Sequence, residues 1–197
     1  MKKALAVSLG LALAILVAGP AFAQMGGAKV GLEGHGLYAF NFNDDDFGSG
    51  NEPDNTFGGG GSLVIAFGQI AKLDLGADYL KPELKSASSE KFQLIPVAGT
   101  LRIGGTVADA LYLYGGGGAG YSFNEYDGTL DDALELEDCF TYHACGGLEI
   151  CLSPNLALRG EFRYVWMKPD VKEKATGAKE SIKLDHMQVR AGLGVYF

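Results

Sequence analysis

After its first 23 residues this chain has no apolar run approaching 18 residues, so no helix able to span a bilayer is expected. Basic residues are few, 16 against 24 acidic ones. Nucleic acid demands a basic face to neutralise its phosphates, and that excludes it as a partner. Cysteine occurs three times, all between Cys139 and Cys151, without the short Cys-x-x-Cys spacing of a zinc site. What the chain does have is glycine, 30 residues of it, and a composition that is 47% hydrophobic. If such a chain enters a membrane without a spanning helix, it must do so as a closed barrel, the other structure that satisfies its own backbone.

The N-terminus reads as a secretory signal. Lys2 and Lys3 form a positive start, Ala4 to Ala18 is an apolar stretch too short to span, and Gly19-Pro20 breaks it before the small-x-small site "AFA" ending at Ala23. The expected domains are a cleaved signal over 1–23 and a mature barrel over 24–197, exported to an oxidising compartment. Gln24 rather than cysteine follows the cleavage point, so no lipid anchor is expected. Without Lys2 and Lys3, 14 basic residues face 24 acidic ones, a net charge of −10.

The mature sequence alternates period-2 stretches with polar breaks. Eight strands are expected at 28–42, 57–67, 72–81, 92–103, 111–123, 139–151, 155–166 and 184–197, near the 9–11 residues that a tilted membrane strand needs. Connections after the first, third, fifth and seventh are long (43–56, 82–91, 124–138, 167–183). Those after the second, fourth and sixth are short ("GQIA", "GGTVADA", "LSP"). Strict alternation of short turns and long loops, with both termini on the short side, points to an all-β, eight-stranded antiparallel up-and-down transmembrane β-barrel in the outer membrane. Aromatic residues near the long-loop ends (Phe40, Phe42, Phe57, Tyr79, Phe92, Phe140, Tyr164, Trp166) suit an interfacial girdle.

"CFTYHACGGLEIC", read as a strand, points Cys139, Thr141, His143, Cys145, Gly147, Glu149 and Cys151 to one face and an apolar set to the other. The apolar face belongs against lipid, so the thiols line the lumen. Successive cysteines lie six residues apart, roughly 20 Å along a strand, beyond the ~7 Å Cα separation that a disulfide requires. No metal or cofactor site is expected. "GGGG" at Gly58–Gly61 and Gly115–Gly118 lacks the Lys-Ser/Thr of a phosphate loop and lies within strands, where glycine relieves crowding. "NDDDFGSGNEPDN" fails the calcium-loop template for want of a correctly placed glycine.

By alternation the lumen receives Lys29, Arg102, Arg159, Arg163 and Arg190 against Glu33, Asp74, Asp78, Glu149 and Glu161, with His35 and His143 joining them. Five against five suits a paired network filling a narrow interior, since buried charges are costly unless paired and eight strands leave little more than side-chain room. Loops 43–56 and 124–138 carry five and seven acids and no base, whereas 167–183 carries Lys168, Lys172, Lys174, Lys179 and Lys183. Either the opposed loops clamp one another, or outer-leaflet lipopolysaccharide phosphates engage the lysines and divalent cations the acids.

"GGLEICLSPNLALRGEFRYVW" (Gly146–Trp166) and the C-terminal "MQVRAGLGVYF" resemble the small outer-membrane barrels that include the OmpA-, OmpX- and OmpW-like proteins. The resemblance implies that Val189, Ala191, Leu193, Val195 and Phe197 form the signal read by the barrel-assembly machinery. It departs from better-known members in its three cysteines, and the chain stops at its last strand, so no cell-wall tether is expected. His143, Cys145 and Glu149 superficially echo the His-x-Ser pair of outer-membrane lipid A deacylases, but they point inward on this reading. The expectation is a monomeric, non-enzymatic barrel with a largely plugged polar lumen and a structural or surface-interaction role, touching outer-membrane lipid and lipopolysaccharide. The alternative is a narrow pore or a conduit for small apolar compounds, as the OmpW-like resemblance implies. An apolar upper lumen or a gap in the wall would favour it, and Pro96, inside the fourth strand, points the same way because proline removes a ladder hydrogen bond.

Overall fold

The computed structural model describes residues 28–43, 53–85, 87–107, 110–128 and 133–197. The expected signal segment and most of the acidic loop 43–56 lie outside the described residues. The strands are β1 (Ala28–Phe40), β2 (Thr56–Phe67), β3 (Ala71–Leu80), β4 (Glu83–Leu84), β5 (Ala87–Thr106), β6 (Leu111–Asp127), β7 (Leu134–Leu136), β8 (Cys139–Ser153), β9 (Leu156–Met167), β10 (Asp170–Glu173), β11 (Lys179–Ser181) and β12 (His186–Tyr196).

Eight of these close a barrel in the order β3-β2-β1-β12-β9-β8-β6-β5, with β3 pairing back onto β5. Every barrel pair is antiparallel, and β12 pairs with β1 from Gly31↔Tyr196 to Phe40↔Met187, so no strand edge is left open between first and last. Closure matters because lipid offers no hydrogen bonds to a free edge. In β9, Leu156, Leu158, Phe162 and Trp166 are exposed, while Ala157, Arg159, Glu161, Arg163 and Val165 are buried. Such a protein is inside-out relative to a water-soluble one. The apolar side faces outward, where hydrocarbon can meet it, and the charges face in.

The eight strands sit where alternation predicts, with two differences. β5 and β6 run past the expected 92–103 and 111–123, paired as far as Lys91↔Asp127, and stand above the barrel rim. The long loops also carry structure of their own. β4 pairs with β5, and β7, β10 and β11 form a separate three-stranded sheet in the order β11-β10-β7. Strands of two to four residues leave no readable period, and β7 meets its partner β10 only through the fold. Acidic and lysine-rich loops thus meet strand to strand, Lys172↔Glu135 in register and Lys179 Nζ 2.6 Å from Glu137 Oε1.

Candidate functional site: a divided lumen

The lumen has two halves. On the short-turn side, the lower half is a network of charges. Arg102, wholly buried, reaches Asp74 at 2.6 Å and Glu149 at 3.4 Å. Arg159 holds Asp74 at 2.9 Å and also pairs with Glu33. Arg163 binds Glu161 at 2.9 Å, Arg190 pairs with Asp78, and His35 Nε2 lies 2.8 Å from Asp78 Oδ1. His143 is tied to Thr100 at 2.8 Å. At the floor, Lys72 Nζ meets Glu149 Oε1 at 2.6 Å and lies 4.9 and 5.0 Å from the ring centroids of Tyr112 and Tyr196. Both tyrosines are buried, and with Lys72 they close the periplasmic mouth.

Two glycine positions let these side chains cross so narrow a space. A Cβ on Gly60 would collide with the Asp78 carboxylate, and one on Gly118 would stand 2.7 Å from the His143 ring. The two "GGGG" runs therefore leave room for the charged groups of neighbouring strands.

Of the ten charges expected inside, the structure brings together Glu33, Asp74, Asp78, Arg102, Glu149, Arg159, Glu161, Arg163 and Arg190, all buried. Lys29 is the exception. It has the inward parity, but it lies near the start of β1 at the mouth and is exposed. Lys72 fills the fifth basic place instead. Sequence reasoning missed it although it shares the parity of Asp74 and Asp78 on β3. It also missed the tyrosines, Thr100 and the pair His186–Gln188, because neutral side chains carry no charge-balance signal.

The upper half, on the long-loop side, is apolar. Leu37, Ala39, Phe42, Leu80, Phe92, Leu94, Val165 and Met167 from the walls pack with Leu136, Ile182 and Leu184 from the loops. Phe42 and Phe92, expected in the outer girdle, are buried in this cluster instead. The other residues expected in the girdle face outward, with Phe57 81% and Phe140 70% exposed and the Tyr164 ring tilted against Trp166 at 4.9 Å.

Between the halves lies a cavity of about 20 Å³, room for about one water molecule. Leu80, Leu94, Pro96, Ala98, Val165 and Met167 form its apolar side. Asp78, Thr141, His143, Arg163, His186, Gln188 and Arg190 form its polar side. His186 is fixed there by Leu184 O and Gln188, both at 2.8 Å. A second cavity of the same size sits lower among Arg159, Arg163, Arg190 and Ser62. Neither amounts to a continuous channel.

The cavity reaches the wall at Pro96, where the pairing of β3 with β5 is interrupted. β3 pairs with β5 from Ala71↔Ile103 to Ala77↔Val97, lapses opposite Pro96, and resumes at Leu80↔Leu94. β5 keeps its pairing with β6 through Pro96↔Ser122. Proline has no N–H to give the ladder, and the lapse falls on the β3 side.

A closed eight-stranded barrel with an apolar exterior and a charged interior is an integral outer-membrane protein. The sequence profile of the family described as outer membrane protein beta-barrel domain matches residues 9–197, and the chain belongs to that family, which places it in the outer membrane. Among solved structures, the outer membrane protein OprG of Pseudomonas aeruginosa is similar at a TM-score of 0.64 and 16% identity, over 87% of this chain and 96% of that one. Neisserial surface protein A matches at 0.59 and 16%, over 87% and 97%. The outer membrane protein AlkL matches at 0.56 and 19%, over 87% and 90%. At these identities the likeness is one of fold. No curated protein matches in sequence.

The three thiols of β8 are unpaired and differ in access: Cys139 is buried, Cys145 half-buried and Cys151 exposed at the lower end. A membrane-impermeant maleimide is expected to label Cys151 in the folded barrel and to leave Cys139 unmodified until unfolding. Mass spectrometry of the labelled peptides checks this, and rapid labelling of Cys139 would contradict the packed upper lumen. His143 and Cys145 lie on the inner face of β8, away from any acyl chain in the bilayer.

Proposed function

We propose that this barrel passes small apolar compounds from the cell exterior into the bilayer, entering through the apolar upper lumen and leaving sideways at the β3–β5 seam. The single observation that carries this reading is the cavity between the two halves, which is lined by Pro96 where the ladder lapses. The charged lower half forms a floor, so water-soluble solutes and ions do not pass through to the periplasm. Buried charges hold such a floor closed because separating them leaves each one unpaired in a dry space. The upper half is packed by its own side chains at rest, and entry requires the loop residues Leu136, Ile182 and Leu184 to lift away. No chemistry is assigned to the barrel.

The test pairs two measurements on one refolded preparation. In planar bilayers the barrel is expected to be electrically silent. In vesicles with a lipopolysaccharide outer leaflet it is expected to speed the arrival of a small apolar fluorophore in the inner leaflet. Discrete conductance steps would show an open water path through the floor and refute the division of the lumen. Silence without accelerated delivery would leave the second reading, a surface-interaction role. The strand-built sheet β7-β10-β11, standing outside the barrel and tied by Lys179 to Glu137, favours that role.

A further inference from the structure

Most polar groups around the cavity between the two halves are matched within the protein. Asp78 meets His35 with one oxygen and Arg190 with the other, Gln188 bridges His186 and Arg190, and His186 is held at both ring nitrogens. Three groups keep capacity. Arg163 spends Nε (3.0 Å) and Nη2 (2.9 Å) on Glu161, and Nη2 also reaches Thr100 at 3.5 Å. Its Nη1 has no partner among the described residues. His143 uses Nε2 on Thr100 at 2.8 Å, and neither its Nδ1 nor the Thr141 hydroxyl is hydrogen-bonded among the described residues. Thr141 is 2% exposed and His143 and Arg163 are each 5% exposed. All three line the cavity, and these atoms, not being sealed against protein, open onto the space beside them.

Register sets their height. Across β5, β6 and β8, Ala98, Gly120 and Thr141 form one row, and Thr100, Gly118 and His143 form the next row down. β5 descends from the loop side, so both rows lie just below Pro96, and the cavity's apolar residues stand at its level or above. A hydrocarbon end placed at these rows would strand three buried polar groups, each of which is costly to leave unmade. A carboxylate fits no better. The acids and bases of the lumen already pair with one another, so a further anion finds no free counter-charge. The space also holds only about one water molecule, the size of a single oxygen. A hydroxyl answers the site, because it accepts from Arg163 Nη1 and donates to Thr141 or His143, which a carbonyl cannot do. We propose that the compounds this barrel takes up are aliphatic alcohols. Thr141, His143 and Arg163 hold the hydroxyl, while the chain rises against Leu80, Leu94 and Met167 and meets the seam at Pro96. The inference rests on the proposed passage of small apolar compounds and names their head group.

The experiment places the folded full-length barrel in lipid vesicles with three photoreactive probes of equal chain length: an alkane, the primary alkanol and the alkanoate, each with a mid-chain diazirine. Cross-linked peptides are mapped by mass spectrometry at equal probe concentration in the bilayer. The alkanol is expected to label the cavity wall about 25-fold more than the alkane does, roughly fivefold for each of two net hydrogen bonds. The alkanoate should label it no more than the alkane. Thr141→Val keeps the shape and removes the hydroxyl, and it should lower the alkanol-to-alkane ratio about fivefold. Equal labelling by alkanol and alkane would overturn the proposal, as would stronger labelling by the alkanoate or a ratio unmoved in a well-folded Thr141→Val barrel. If that variant does not fold, as judged by heat-modifiable gel mobility, the parent's own ratio decides. Selective labelling without accelerated fluorophore delivery would keep the alcohol site and remove the passage through the seam. Accelerated delivery with unselective labelling would keep the passage and remove the site.

Discussion

A Pro96→Val variant is expected to deliver small apolar compounds to the bilayer about tenfold more slowly than the parent, for a rise in barrier of about 1.4 kcal/mol. Valine supplies the N–H that proline lacks, at the position where the β3–β5 ladder lapses between Ala77↔Val97 and Leu80↔Leu94. A restored ladder bond facing hydrocarbon is costly to open, because no water waits to replace it. The variant should fold at least as well as the parent, since it gains β propensity and a hydrogen bond. Stability and delivery are thus expected to move in opposite directions, a combination that general damage to the fold would not produce. The check is the fluorophore arrival rate in lipopolysaccharide-coated vesicles beside urea unfolding of the same preparation. Unchanged delivery from a well-folded Pro96→Val barrel would remove the sideways exit from the proposal.

Replacing Arg102 by methionine should be the most damaging single change in the lower lumen, costing about 3–5 kcal/mol of stability. Arg102 is wholly buried and joins Asp74 to Glu149, so its removal strips a counter-charge from two carboxylates at once. Lys72 and Arg159 also touch those carboxylates and would retain part of the pairing. A double variant, Arg102→Met with Asp74→Asn, is expected to recover a good part of the loss, because it restores the charge balance, leaves Glu149 to Lys72 and Glu33 to Arg159, and buries a neutral amide in place of an under-paired carboxylate. Lys29→Met, at the exposed mouth, should stay within about 0.5 kcal/mol of the parent. Urea unfolding in lipid vesicles measures all three. If Arg102→Met and Lys29→Met proved equally mild, the lower lumen would have to be flooded with water rather than sealed. The conductance of Arg102→Met gives an independent reading, since a breached floor should show steps that the parent lacks.

The barrel itself was legible in the sequence because its defining constraints are local. A strand's two faces alternate residue by residue, so "NLALRGEFRYVW" declares its charged and apolar sides without reference to any other strand. The alternation of short turns with long loops is likewise written along the chain, and the observed turns at Gly68 and Pro154–Asn155 follow it. For the same reason Val189, Ala191, Leu193, Val195 and Phe197 could be placed together on one face, where they are all exposed to the membrane.

Height, partner and depth were decided only by the tertiary structure. Lys29 and Lys72 both have inward parity, but Lys29 hangs at the mouth while Lys72 reaches Glu149 and two tyrosine rings. Which carboxylate meets which guanidinium depends on the stagger of strands distant in sequence, as when Arg159 finds both Asp74 and Glu33. Phe42 and Phe92 could not be told from girdle residues by composition, since an aromatic ring suits lipid and an apolar lumen equally well. The small sheet β7-β10-β11 comes from segments too short to show a period, paired across some 35 residues of chain. Pro96 could be seen in the sequence, but only the closed wall shows that its missing hydrogen bond falls beside a cavity. Local chemistry sets what each residue prefers, while the shear and closure of the barrel set which preferences meet in space.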